Sequence, residues 1–217
     1  MQKTDTHWRI PPNQPKALML AKRQLSELVY DAVNLEGINF TLPEVQTLLD
    51  GVTVGGRKLS DQQITLNQAA AWRLLFELVE QNQFEVSEAV EWGEFRTGGV
   101  LIAGTNYLPP SVEALPKLFA NMVSDMQQYD DVYDQAIHLF LTMARSQFFY
   151  DVNKRMGRFM MNGHLLSEGY PVINLPASKQ QQFNENMLRF YNSDDQTEMN
   201  LFMRECMDER VVSIMRE

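Results

Sequence analysis

Cysteine and histidine are scarce in this 217-residue chain. Cys206 is its single cysteine, which excludes an internal disulfide framework and a zinc site built from cysteines. The three histidines, His7, His138 and His164, lie far apart in the sequence. We therefore expect neither a disulfide-stabilised domain nor a histidine-rich metal centre.

Long hydrophobic runs are also missing. Apolar runs such as residues 100–103 are far shorter than the roughly 20 residues that a membrane-spanning helix needs. The first nine residues are mostly polar and lack the apolar core of a secretory signal. We expect a cytoplasmic protein with no membrane partner.

Positive charge is in short supply as well. The chain has 19 Lys and Arg residues against 28 Asp and Glu residues, which gives a net charge of −9. Binding to nucleic acid by general phosphate attraction requires a basic surface, so we expect no nucleic-acid partner. A local anion site remains compatible with this balance.

Apolar residues recur at helical spacing through most of the chain and predict a mainly α-helical fold in one domain. Residues 1–16 are polar, contain three prolines and are expected to form an N-terminal arm before the domain at 17–217. The first helix, 17–37, is expected to end at Glu36-Gly37, since glycine often follows the last helical residue. Residues 95–108 carry strand-forming side chains around glycines and predict one short β-hairpin.

Two capping-box patterns, Thr41–Glu44 and Ser60–Gln63, predict the starts of two further helices. Near the C-terminus, the periodicity predicts helices over about 178–191 and 195–214.

The most informative segment is residues 146–158. It places Lys154, Arg155 and Arg158 near the start of a predicted helix, where cations oppose the helix dipole. An anion would offset them, because N–H groups at a helix start and guanidinium groups together bind phosphate well. Asp151, just before the helix, could hold a divalent metal that bridges phosphate oxygens. The alternative, that the arginines pair with acids on neighbouring helices, stays open on the segment alone.

Residues 147–158, QFFYDVNKRMGR, resemble the core motif of the Fic (Fido) family, usually written HPFxDGN[GK]RxxR and located in a loop between two helices. Residues 95–110, which end in two prolines, resemble the family's flap. Residues 34–51 are similar to the inhibitory region of its N-terminally regulated class. The resemblance runs from about residue 17 to the C-terminus and implies a Fic-fold helical domain with a β-hairpin flap.

The Fic family transfers AMP from ATP to a hydroxyl group on a protein side chain. Carried over by position, the resemblance implies ATP and Mg²⁺ as cofactors, with Asp151 as the Mg²⁺ ligand. It implies that Asn153 donates a hydrogen bond to the phosphates of ATP. It also implies that Arg155 and Arg158 bind these phosphates, with Lys154 nearby. A protein target, or the chain itself, would dock along the flap by strand pairing; a homo-oligomer is left open.

Several motif positions depart from the family pattern. Gln147 stands where the family has the histidine that serves as general base, and an amide has no useful basicity near neutral pH. General-base assistance is worth about 10²–10⁴-fold, so AMP transfer is expected to be impaired by roughly that factor. Val152 replaces a glycine and, being β-branched, resists positive φ, while Phe148 replaces a proline. His138 and His164 are not expected to substitute for the base.

Two functions therefore remain open on the sequence. The first is an adenylyltransferase homologue that is weakened at Gln147. The second is a non-catalytic module that binds a nucleotide or a protein through the same loop and flap.

Glu36 resembles the glutamate of the family's inhibitory motif, [ST]xxxE[GN], although Ala32 stands where serine or threonine is usual. The resemblance implies a pair between Glu36 and Arg158 that displaces the γ-phosphate. The alternative is a solvated glutamate at a helix C-terminus, where the dipole makes a negative charge slightly unfavourable.

Overall fold

The computed structural model describes residues 9–87 and 93–217. Within these ranges the chain is almost entirely helical, and no β-strand forms. The α-helices are α1 (Gln14–Arg23), α2 (Leu25–Leu35), α3 (Leu42–Leu49), α4 (Leu59–Glu80), α5 (Leu115–Met126), α6 (Val132–Ser146), α7 (Asn153–Ser167), α8 (Gln180–Ser193), α9 (Thr197–Arg204) and α10 (Glu209–Arg216). Short 3₁₀ turns precede α5 at Val112–Ala114 and α8 at Ala177–Lys179. No helix of the described ranges is both long and apolar enough to cross a bilayer.

Helices α6 and α7 form the centre of the fold. Most side chains of α6 are buried on every side, as expected of a helix that is enclosed by its neighbours. Gly157 lets α7 approach α6 closely, because a Cβ atom there would lie 3.1 Å from the Phe140 carbonyl oxygen. The end of α6 and the start of α7 are therefore held by close packing, and the loop between them carries the predicted motif.

The N-terminal region differs from its prediction at its start and in its middle but not at its end. Helix α1 begins at Gln14, where the Asn13 side chain accepts a hydrogen bond from the Lys16 amide, so the arm predicted over residues 1–16 is shorter than expected. Residues 1–8 of that arm lie outside the described ranges. The single helix predicted over 17–37 is divided at Gln24, whose side chain donates to Asp208. Its predicted end is confirmed: Glu36 caps α2 and Gly37 has φ +83°.

The two capping-box predictions have opposite outcomes. At Thr41–Glu44 both reciprocal hydrogen bonds are present, so this prediction is confirmed. At Ser60–Gln63 the prediction was wrong, because α4 begins at Leu59 and has no side-chain cap. The helix predicted over 195–214 is two helices, α9 and α10, separated by residues 205–208.

The β-hairpin predicted over residues 95–108 was wrong. These residues, all within the described ranges, form turns and irregular chain with no strand pairing. Glycines weaken strands, and an isolated two-stranded hairpin is marginally stable in water. Residues 95–110, named the flap segment below, are instead held by side-chain contacts to the rest of the domain.

Two histidines are buried in the helical core. His164 Nε2 lies 2.8 Å from Gln135 Oε1, and His138 Nδ1 lies 3.4 Å from Gln196 Nε2. Burial lowers the pKa of both imidazoles, which disfavours their charged forms in the folded state. Protonation therefore does not oppose folding above the unfolded pKa of about 6.5, and it increasingly favours the unfolded state as the pH falls from that value toward the lower pKa of the folded state.

We predict that the free energy of unfolding decreases between pH 7.5 and pH 5.5, with a slope of at most about 1.4 kcal/mol per pH unit for each histidine. Urea unfolding at several pH values measures this slope. The combined substitution His138→Gln and His164→Gln should flatten it. A slope that survives both substitutions would assign the pH dependence to other groups.

Candidate functional site

The predicted motif forms a tight loop between α6 and α7. Gln147, with φ +50°, ends α6 in the left-handed conformation, and Val152, with φ +63°, precedes α7 in the same conformation. Phe148 is fully buried and Phe149 almost so. The Phe148 ring lies 5.4 Å from Phe119, centroid to centroid. These buried rings anchor the loop from below, so the phenylalanine that replaces the family's proline is part of the core.

Asn153 braces the loop from inside. It is 3% exposed, and its Oδ1 accepts a hydrogen bond of 2.9 Å from the Phe149 amide. Its Nδ2 donates to the Phe149 carbonyl at 2.8 Å and to Gln147 Oε1 at 3.1 Å. Both N–H groups of this amide and its oxygen thus form hydrogen bonds within the loop. Its role toward a phosphate stays a prediction.

The Gln147 side chain takes part in the same hydrogen-bond network. Its Nε2 donates to the Ala144 carbonyl at 2.6 Å, and its Oε1 accepts from Asn153. The amide is therefore held at the end of α6 by a donor and an acceptor contact. It can position neighbouring groups, but an amide does not take up a proton at neutral pH.

Asp151 presents a charged carboxylate to solvent. Its side chain is 83% exposed, Oδ1 accepts from the Val152 amide at 2.6 Å, and Oδ2 lies 3.0 Å from Arg155 Nη2. The amide hydrogen bond lowers the pKa of Asp151, and Arg155 adds to the effect, so the group is ionised at neutral pH. A single exposed carboxylate fits Mg²⁺, which is usually held by one or two carboxylates together with phosphate oxygens and water.

The cations of the motif cluster at the start of α7. Lys154, Arg155 and Arg158 all lie within its first six residues, and Val152 supplies no side-chain cap to the helix. The first N–H groups of a helix lack intrahelical acceptors, so backbone donors and cations share this end. A surface cleft opens here and is lined by Glu36, Gln147, Tyr150, Asp151, Val152, Asn153, Lys154 and Arg155.

Glu36 closes one side of this site. Its Oε1 lies 3.2 Å from Arg158 Nη2, and the two side chains are 29% and 11% exposed. Burial lowers the pKa of Arg158, and the Glu36 carboxylate opposes that shift. The pair that the resemblance implied is thus present in the structure. Ala32, in place of the usual hydroxyl residue, is buried and lines the small cavity beside Arg158.

Sequence reasoning missed the contacts that place the end of α2. The buried carboxylate of Asp31 accepts from the Ala177 amide at 2.8 Å and from the Asn174 side chain. Burial raises the pKa of Asp31, and these donors oppose that shift. Gln180 Nε2 donates to the carbonyls of Asn34 and Leu35 at 3.3 and 3.2 Å. Glu36 therefore reaches Arg158 from a helix end that is tied to residues more than 140 positions away.

Sequence reasoning also missed Arg96, which is 2% exposed. Its amide donates to the Phe148 carbonyl at 2.9 Å, and its Nε donates to the Gln147 carbonyl at 2.6 Å. A buried arginine binds the main chain of the motif loop directly, and no local pattern in the flap segment indicates this contact.

The left-handed conformation of Val152 should cost stability. A β-branched residue at positive φ is strained by about 1–2 kcal/mol, whereas glycine adopts this conformation freely but loses more entropy on folding. We predict that Val152→Gly raises the free energy of unfolding by about 0.5–1 kcal/mol, measured by chemical denaturation.

Val52→Gly is the matched control, since Val52 is an exposed loop valine without positive φ. It should lower stability by about 0.5–1 kcal/mol. If both substitutions lower stability equally, Val152 carries no strain.

Comparisons with known proteins find the family that the motif resembles. Residues 60–165 match the Fic/DOC family model. "Protein adenylyltransferase Fic" from Drosophila willistoni is 24% identical over 217 residues, covering 88% of this chain and 42% of the relative. The protein of the same name from Drosophila persimilis is 22% identical, with 88% and 41% covered. The chain thus spans less than half the length of these curated relatives.

Solved structures share the fold. A Fic-domain-containing signalling protein from Bacteroides thetaiotaomicron matches with a TM-score of 0.73 and 18% identity, covering 97% of this chain and 91% of that one. Fic-1 from C. elegans (residues 134–508) also matches with a TM-score of 0.73, at 17% identity, covering 97% of this chain and 66% of that one. At these identities the structures establish the fold alone. Together with the match of residues 60–165, just under half of the chain, to the family model and the likeness to the named relatives, they identify a Fic/DOC domain in this chain.

Proposed function

We propose that this protein is a Fic-type protein adenylyltransferase homologue that binds Mg·ATP at the start of α7, is inhibited by Glu36 and is weakened in catalysis at Gln147. The observation that carries the proposal is the contact between Glu36 and Arg158. It places a carboxylate on the guanidinium that the family's pattern assigns to the γ-phosphate.

The charges at the start of α7 support nucleotide binding. Arg158 is nearly buried, and it would exchange one anion, the Glu36 carboxylate, for another, a phosphate. Arg155 would leave Asp151 for a phosphate oxygen, which releases the carboxylate toward Mg²⁺. When bound, Mg²⁺ neutralises charge on the phosphate oxygens. Asp151 would hold it, while Lys154 and the N–H groups of α7 would face the remaining phosphate charge.

The chemistry at Gln147 supports impairment. A hydroxyl group that attacks the α-phosphorus must lose its proton, and the braced amide at this position cannot accept it. The loss of general-base assistance reduces the rate by about 10²–10⁴-fold. Positioning of the phosphates would remain, because the loop, Asp151 and the cations are in place.

The flap segment supplies a surface for a target protein or for a second copy of this chain. Leu101 and Leu108 on it are 81% and 70% exposed. Residues 99–102 are not paired within the described part of the chain, so their main-chain groups are available to an added extended segment.

One observation favours the second candidate function, a non-catalytic nucleotide- or protein-binding module. The Gln147 amide makes two hydrogen bonds that stabilise the loop. The Gln147 side chain thus stabilises the loop. A binding module would need this stabilisation, whereas a catalytic site would need a general base at the same position.

Removal of the Glu36 carboxylate tests the inhibitory pair. We predict that Glu36→Gly tightens the binding of Mg·ATP by about tenfold or more, since one arginine–phosphate contact is worth at least about 1.4 kcal/mol. ADP lacks the γ-phosphate, and its affinity should change by less than about threefold. Calorimetric titration of both nucleotides into wild type and variant measures the difference.

Asp50→Gly is the matched control, because Asp50 also caps a helix directly before a left-handed glycine, Gly51, but at α3. It should leave both affinities unchanged. Equal effects of Glu36→Gly on ATP and ADP would show that Glu36 does not occupy the γ-phosphate position. Absence of binding in every variant would remove the nucleotide-binding proposal.

Restoration of the base tests the catalytic part. We predict that the double variant Glu36→Gly, Gln147→His transfers label from radiolabelled ATP to itself or to lysate proteins. Its rate of labelling should be about 10²–10⁴ times that of the single variant Glu36→Gly. Val152→Gly belongs in the same series, because a glycine there removes Cβ from the phosphate side of the loop.

If the variant that combines Glu36→Gly, Gln147→His and Val152→Gly binds Mg·ATP with high affinity and still labels no protein, the second candidate function is the correct one. If Glu36→Gly alone labels as fast as the variants with histidine, Gln147 is not the cause of impairment, and another group accepts the proton.

A further inference from the structure

Arg96 joins the two ends of the flap segment to the motif loop. Its Nε donates to the Gln147 carbonyl at 2.6 Å, its Nη1 to the Gly98 carbonyl at 2.8 Å, and its Nη2 to the Pro110 carbonyl. Charge-assisted hydrogen bonds are roughly twice as strong as neutral ones. The rigid fork of a guanidinium can serve three carbonyls at once, which the single ammonium of lysine cannot reproduce.

A second contact between the flap segment and the motif loop lies beside the contacts of Arg96. Tyr150 Oη accepts a hydrogen bond of 3.2 Å from the Thr97 amide and lies 3.0 Å from Thr97 Oγ1. The same phenol oxygen lies 3.0 Å from the place where a Cβ atom of Gly98 would be. Neighbouring residues of the flap segment therefore contact the motif loop at three of its residues, Gln147, Phe148 and Tyr150.

The far part of the flap segment is attached elsewhere. Thr105 Oγ1 donates to Asn192 Oδ1 on α8 at 2.7 Å, and the Arg145 guanidinium lies 4.1 Å from the centre of the Tyr107 ring. Ile102 also packs against the hydrophobic core. Residues 99–101, of which Leu101 is highly exposed, thus lie between the attachment at Arg96 and the contacts of residues 102–107. The attachment at Arg96 fixes the near end of this span on the motif loop.

The conformation of Gln147 explains why this attachment matters. Its left-handed backbone turns the chain at the end of α6, and its carbonyl is met there by Arg96. Loss of the guanidinium would leave the partly buried carbonyls of Gln147, Gly98 and Pro110 without this partner, at a cost that depends on how much water reaches each of them. The flap segment and the motif loop would then be free to separate.

We propose that Arg96 is a positioning residue that fixes the flap segment on the motif loop, so that a protein segment along residues 99–102 and a phosphate ligand on α7 are held in one geometry. The identities of the target and the ligand rest on the proposed function. The coupling of the two segments does not.

Distance measurement between nitroxide spin labels tests the coupling directly. One pair joins Leu101→Cys on the flap segment to Gln63→Cys on α4, and a reference pair joins Gln63→Cys to Gln182→Cys on α8; all three positions are exposed. The native Cys206 is buried, and burial raises the pKa of its thiol to about 11, so brief labelling at neutral pH spares it.

Arg96→Met should broaden the distance distribution of the flap pair by about twofold or more and leave the reference pair unchanged. Arg189→Met, at an exposed surface arginine, should change neither pair. A flap distribution as narrow as in wild type, or equal broadening of the reference pair, would overturn the proposal. If Arg96→Met does not fold, Arg96→Lys and Tyr150→Phe weaken the same attachment and should each broaden only the flap pair.

Comparison of the rate of labelling with the Kd for Mg·ATP separates a positioning role of Arg96 from a general structural role. In the background Glu36→Gly with Gln147→His, Arg96→Lys should slow labelling by about tenfold or more and leave the Kd for Mg·ATP within about threefold. Unchanged labelling, or parallel loss of binding and labelling, would contradict the proposal. A background that never binds or labels would count against the proposed function, while the distance measurement would still decide on Arg96.

Discussion

The accumulation of positive charge at the start of α7 is the constraint on which the rest of the site depends. Lys154, Arg155 and Arg158 add to the positive end of a helix dipole, and Arg158 is nearly buried. Each arginine meets a carboxylate, Arg155 at Asp151 and Arg158 at Glu36. Both carboxylates come from outside α7, so the charges of the helix are balanced by groups that a phosphate ligand could displace.

The loop that carries these charges is built at a cost in backbone strain. Two residues other than glycine, Gln147 and Val152, adopt positive φ within six positions. The strain is offset by the Asn153 amide, by the buried rings of Phe148 and Phe149, and by Arg96. This distribution of contacts explains how a loop without the family's glycine and proline keeps its shape. The amide of Gln147, at the position of the family's histidine, makes two of these contacts.

The sequence predicted the parts of the site that local chemistry specifies. Gly37 marks the end of α2, and the Thr41–Glu44 pattern marks the start of α3, because each relies on neighbours within a few residues. The clustering of cations at the start of α7 was visible for the same reason. The hairpin predicted over residues 95–108 does not form, since strand-forming side chains alone do not stabilise a hairpin without a partner sheet.

The contacts that the sequence did not reveal are long-range and mostly involve the main chain. Arg96 donates to the Gln147 carbonyl, 51 residues away, and Asp31 accepts from the amide of Ala177. Neither interaction requires a particular side chain at the other end, so neither leaves a pattern to read. The position of Glu36 on Arg158 depends on such contacts, and family resemblance rather than periodicity indicated that pair.

A crystal structure of the Glu36→Gly variant with Mg·ATP bound would test most directly whether Glu36 occupies the γ-phosphate position on Arg158. We predict that the γ-phosphate lies at hydrogen-bond distance from the Arg158 guanidinium and that the metal ion lies on the Asp151 carboxylate. A nucleotide bound away from the start of α7, or an Arg158 side chain that turns to another carboxylate with the γ-phosphate elsewhere, would contradict it.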